Sequence, residues 1–186
     1  MSLGKSAHRK SASRIGLIIV ASLVYGGYQL LDHDVQNETQ ASGDTQMATV
    51  ADVIDGDTIR VSKPGEQEAT RVRLLNIDTP EIGKECYAQQ AQHFVEKLIP
   101  EGTRVRLEYD QEPTDHYGRE LAGVYVADTF VNKEVAAAGL AVSIVIEPND
   151  RFYHEIDEAV AAAKREQRGV YAPDSGCSFA DYKTRN

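Results

Sequence analysis

The sequence predicts a small closed β-barrel with appended helices, an α+β fold, and three observations lead to it. Runs of β-branched or alternating apolar residues fall in two groups, three before one helical segment and two after it. No further strand-like run follows the second group, which disfavours a sandwich of two stacked sheets. The apolar periodicity beyond it is helical.

Each element has its own signal. ATVADVIDG, DTIRVSK and TRVRLLNID read as three strands, the first two parted by Asp55-Gly56 and the next pair by the turn-rich KPGEQEA. CYAQQAQHFVEKLIP places Ala88, Ala91, Phe94, Val95 and Leu98 on one helical face, and Pro100 and Gly102 stop it. TRVRLEYD and ELAGVYVAD form the second strand group around the polar loop QEPTDHYGR. NKEVAAAGLA and HEIDEAVAAAKREQRG are helical, and the second is expected to end at Gly169.

The 186 residues suit one well-buried domain with tails. Charge is distributed unevenly. Residues 1–31 hold Lys5, Arg9, Lys10 and Arg14 and no acid, so of 20 basic side chains 16 remain against 29 acids, a net −13, from residue 32 onward. That balance argues against long non-specific tracking along a phosphate backbone, which needs a broad basic surface. Ile15 to Leu31 is a 17-residue uncharged run behind the basic cluster. It is expected to be an uncleaved signal anchor that keeps the cluster in the cytoplasm, with a cleaved signal peptide as the alternative. Residues 32–47 are polar and read as a flexible stem, 48–171 as the folded domain and 172–186 as an irregular tail. Cys86 and Cys177 both fall in the exported part, where a disulfide is the simplest expectation and two free thiols the alternative.

Two turns carry an excess of acid. Asp55-Gly56 is a favoured hairpin turn in its own right, so Asp55 has a sufficient geometric reason to be there. Asp57 has none, because a second carboxylate at the head of a strand creates repulsion that a cation relieves. Asp78-Thr79-Pro80-Glu81 ends the third strand at a proline turn, and Arg73 lies on that strand among leucines. Two strand-end carboxylates and a turn carbonyl are hard oxygen donors of the kind Ca²⁺ prefers. In Thr114 to Glu120, TDHYGRE, a turn precedes Arg119, whose ordinary fate would be pairing with Glu112 or Glu120.

VIDGDTIRV, VRLLNIDTPE and DHYGR, in this order, resemble the thermonuclease family typified by staphylococcal nuclease over about residues 48–171. The resemblance implies an OB-type five-stranded barrel with three helices, and Ca²⁺-dependent hydrolysis of DNA and RNA that leaves 3′-phosphate and 5′-hydroxyl ends. It implies that Asp57, Asp78 and the Thr79 carbonyl hold Ca²⁺ with Asp55 nearby, and that Glu81 orients or deprotonates water. It also implies that Arg73 and Arg119 grip the scissile phosphate, as planar guanidiniums do well.

The match also departs from the family in places. His116 stands where the family often has lysine, which leaves a titratable phosphate contact, while Tyr117 is retained and could bond a terminal phosphate. Ile144 and Ile146 replace rings that the type member presents to the nucleotide, so stacking is lost unless Tyr153 substitutes. The loop after Glu81 is short and contains Gly83, Lys84 and Cys86, which a disulfide to Cys177 would tie to the tail. A non-catalytic OB-type binding module is the rival reading, although both acidic turns and both arginines are present. The expected partners are DNA and RNA, with the membrane reached through the N-terminal helix, and the expected state is a monomer.

Overall fold

The computed structural model describes residues 44–179, so the expected membrane segment and most of the stem lie outside the described residues. Five longer strands, β1 (Thr45–Val53), β2 (Thr58–Ser62), β3 (Thr70–Leu74), β5 (Arg104–Glu108) and β6 (Glu120–Val126), form one sheet with short strands between and after them. The order is β3-β2-β1-β5-β6, and a parallel pairing of β3 with β6 closes the ring, the Greek-key closure of an OB-type barrel. Alternation does the sorting. In β5, Val105 and Leu107 are fully buried while Arg104 is exposed, and Ile59, Val61 and Val72 fill the same interior from β2 and β3.

β1 begins at Thr45, inside the segment expected to be stem. Thr45, Gln46 and Met47 are held there by pairing with Glu108, Leu107 and Arg106 of β5, so a polar run gains order from a neighbour's backbone. The strand serves both sides of the barrel, turning from β5 to β2 near Thr49, and a register shift between Val50 and Asp52 supplies the bend.

Three helices follow the expected order: α1 (Ala88–Leu98), α2 (Val131–Ala137) and α3 (Tyr153–Arg165). α1 buries Ala88, Ala91 and Val95, and α3 buries Ile156, Ala159, Val160 and Ala163, each on one face. Gly169 does not end α3. The left-handed position belongs to Gln167, φ 53°, and the N–H of Arg168 reaches back to the Ala163 carbonyl at 3.0 Å, a Schellman closure. Gly169 instead allows close approach, since a Cβ there would stand 2.5 Å from the carbonyl oxygen of Ala138.

TRVRLLNID is two strands rather than one. The chain turns left-handed at Asn76, φ 60°, and the short β4 (Ile77–Asp78) leaves the barrel to pair with β8 (Val142–Ser143). Asn76 is fully buried, and its Nδ2 donates to the carbonyls of Ile144 at 3.1 Å and Asn149 at 2.9 Å. ELAGVYVAD likewise turns at Ala127, φ 49°, into the short β7 (Thr129–Phe130). Cys86 and Cys177 are joined as a disulfide with their Cα atoms 6.2 Å apart, so the tail is fastened beside the start of α1. Among the described residues no helix is long and apolar enough to cross a membrane.

Candidate active site

The register of the barrel brings separate stretches of sequence to one end. Thr58 at the head of β2 pairs with Arg73 near the end of β3, and Arg73 pairs in turn with Leu121 near the start of β6. Asp57, Arg73 and Arg119 therefore arrive on adjacent rows. The cleft they line encloses about 400 Å³ and also takes in Asp55, Asp78, Thr79 and Glu81, with Lys84 and Ile82 at its edge.

Gly56 makes this possible for a reason other than the turn chemistry its dipeptide suggests. It does not adopt the left-handed conformation. A Cβ on it would lie 2.6 Å from Ala91 Cβ and 2.8 Å from Thr79 Oγ1, so the missing side chain lets the hairpin press against both α1 and the proline turn. The turn then ties itself together. The N–H of Asp57 donates to Asp55 Oδ1 at 3.0 Å. Asp57, 7% exposed, accepts at Oδ2 from the N–H and the hydroxyl of Thr79 at 2.9 and 3.0 Å. Burial, and after it the charge of Asp57, pushes the Asp55 carboxyl up to about 6.

Arg73 is anchored almost completely. Its Nη1 donates to the carbonyls of Leu74 and Ile77 at 2.8 and 2.7 Å, while Nε lies 3.2 Å from Asp57 Oδ1 and Nη2 lies 3.2 Å from Asp78 Oδ1. Only 7% of the side chain is exposed. With Nη1 committed to backbone, the Nε and Nη2 edge is what Arg73 can turn to an anion, and that edge already faces the two carboxylates.

Arg119 is held differently, and by neither Glu112 nor Glu120, its ordinary alternatives as a surface arginine. Its Nε donates to Asp115 Oδ2 at 2.7 Å. Glu120 is occupied by Lys63 and by the Tyr109 hydroxyl, the latter at 2.6 Å. Burial would raise Asp115, but the N–H groups of Arg119 and Tyr117 outweigh it and hold the carboxyl below the usual range. Glu81 pairs with Lys84, and its N–H donates to Glu85 Oε2 at 2.7 Å, one residue before the disulfide.

His116 and Tyr117 lie outside the cleft lining. Tyr117 is 74% exposed, its ring 5.5 Å from the Arg119 guanidinium carbon and 3.8 Å from the His116 ring. The sequence reading missed Asp115 and Lys84. Asp115 stands four residues before Arg119 around a glycine turn, a spacing that carries the signal once the loop is known to close on itself.

Comparison with known proteins agrees with this architecture. The profile of the family described as staphylococcal nuclease homologue matches residues 71–172. The chain is 37% identical over 163 residues to a thermonuclease of Staphylococcus intermedius, covering 83% of this chain and 94% of that protein. It is 30% identical to a thermonuclease of Staphylococcus hyicus, covering 84% and 95%. It is also 30% identical over 132 residues to endonuclease YhcR of Bacillus subtilis, which spans 64% of this chain and 11% of that longer protein. A closed barrel with its polar cleft at one end defines the class, and the matches define the kin. The chain belongs to the staphylococcal nuclease homologue family.

Proposed function

We propose that this protein is a Ca²⁺-dependent nuclease that hydrolyses phosphodiester bonds of DNA and RNA, acting as a monomer outside the cytoplasm and leaving 3′-phosphate and 5′-hydroxyl ends. The observation that carries the reading is the convergence of Asp57, Arg73, Asp78, Thr79, Glu81 and Arg119, drawn from three stretches of chain, on one cleft. The names of the relatives, thermonuclease and endonuclease, support the same class. The disulfide and the basic then apolar N-terminus support an extracytoplasmic, membrane-tethered setting.

The donor chemistry fits a hard cation. Asp57 and Asp78 offer oxygen only, and their proximity is balanced by the charge of Arg73. Asp57 and Asp78 would hold the ion, with the Thr79 carbonyl and water completing its shell; among the described residues no three His, Cys, Asp or Glu side chains form a metal-holding group. When bound there, Ca²⁺ supplies positive charge against the phosphate oxygens.

The side chains account for the remaining requirements. Arg73 and Arg119 meet the charge that grows on the equatorial oxygens, both held in place by existing hydrogen bonds. Glu81 accepts the proton of the water whose oxygen bonds to phosphorus as the bond to the 5′ oxygen breaks, and that leaving oxygen takes a proton from solvent to become the 5′-hydroxyl. Lys84, paired with Glu81, must yield that carboxylate for it to act.

Plasmid DNA and total RNA incubated with the purified protein in Ca²⁺, in Mg²⁺ and in chelator test the reading. Cleavage in Ca²⁺ that chelation stops, with 3′ ends sensitive to phosphatase, is the expected result. Binding of nucleic acid with no cleavage under any condition identifies a binding module instead.

A further inference from the structure

We propose that Asp115 is the positioning residue of Arg119 and determines which edge of that guanidinium meets the scissile phosphate, an inference that rests on the nuclease reading. The carboxylate accepts from three N–H groups. Oδ1 takes the backbone N–H of Tyr117 and of Arg119, each at 2.9 Å, and Oδ2 takes Nε of Arg119 at 2.7 Å. The backbone closes the same loop, with the Asp115 N–H donating to the Arg119 carbonyl at 2.9 Å and the Gly118 N–H to the Asp115 carbonyl at 3.0 Å. One side chain thus fixes both the turn and the cation that the turn delivers.

The Asp115 side chain is 9% exposed against 30% for Arg119, so the anchoring end is sheltered while the working end opens on the cleft. The Tyr117 ring centroid lies 5.5 Å from the guanidinium carbon. With Nε committed, Arg119 has only its two terminal nitrogens to offer an anion. Arg73 is constrained differently, since its Nη1 is committed to carbonyls and its Nε and Nη2 edge faces Asp57 and Asp78. Asp115 is therefore what imposes the end-on approach at Arg119.

Asp115→Asn isolates this role. The amide oxygen can still accept the two backbone N–H groups, but its NH₂ opposes Nε of Arg119, donor against donor. In the active protein the substitution is expected to lower kcat roughly ten- to a hundredfold, with KM changed less than about threefold. Arg119→Lys should cost far less in the Asp115→Asn background than alone, because the two residues act as a unit. Unchanged kcat in Asp115→Asn, or strictly additive costs, overturns the proposal. A native chain that cleaves nothing overturns the nuclease reading, and this role with it. The native protein supplies a check that no variant's folding can confound. Nitrogen-15 NMR should show the Arg119 Nε–H exchanging with water far more slowly than exposed arginines, and equal exchange rates overturn the proposal.

Discussion

Arg73 and Arg119 carry the same charge, but each is fixed by a geometry that lysine cannot reproduce. At Arg73 one guanidinium bonds two carbonyls with Nη1 while Nε and Nη2 face two carboxylates, four partners against the three donors of an ammonium. We expect Arg73→Lys and Arg119→Lys each to lower kcat by at least about a hundredfold in a nuclease assay, the scale of losing one preorganised donor group. Gly56 has a different vulnerability. Gly56→Ala would drive a methyl into Ala91 and Thr79, an overpacking expected to cost about 1–3 kcal/mol in urea denaturation. Since the Thr79 side chain that would be displaced donates to Asp57, turnover should fall as well as stability. A variant as stable as the native chain would mean that α1 gives way without cost.

At the scale of elements, the long strands, α1 and α3 are legible because each repeats its period, whereas α2, seven residues or barely two turns, ends at Ala137, short of the NKEVAAAGLA run read as helical. The short strands are not legible, since two residues such as Ile77-Asp78 or Val142-Ser143 carry no period. The break at Asn76 needed a tertiary cause, namely carbonyls from a segment about seventy residues later in the chain, supplied by Ile144 and Asn149. Asp57 and Arg73 were legible as residues that a turn and an apolar strand do not require, and the other acids and Arg119 of the cleft through the resemblance. Their anchors, Asp115 above all, were not, because an acid beside a glycine turn is ordinary until the loop is seen closed. Asn132 on α2 is another buried anchor. Its Oδ1 accepts the Val124 N–H at 3.0 Å and its Nδ2 donates to the Leu75 carbonyl at 2.9 Å, binding the helix to both strands of the parallel closure. Asn132→Leu leaves those backbone groups buried without partners and should cost about 3 kcal/mol or more, measured by chemical denaturation.

For the whole molecule, the disulfide joins residues 91 apart in sequence, just past the turn that carries Glu81. The chain-entropy cost of such a loop is on the order of 4 kcal/mol, so complete reduction should lower Tm clearly, and an unchanged Tm with both thiols titrated would remove this role. The parallel junction of β3 and β6 consists of three residue pairs, Val72 with Glu120, Arg73 with Leu121 and Leu74 with Ala122. One cation rides on each side of that seam. If the ring unzips there, the two part company while most apolar packing stays intact, and catalysis becomes a gauge of whether the hoop is shut. Rising urea should silence cleavage before the tyrosines, the chain's main intrinsic fluorophores in the absence of tryptophan, report any melting.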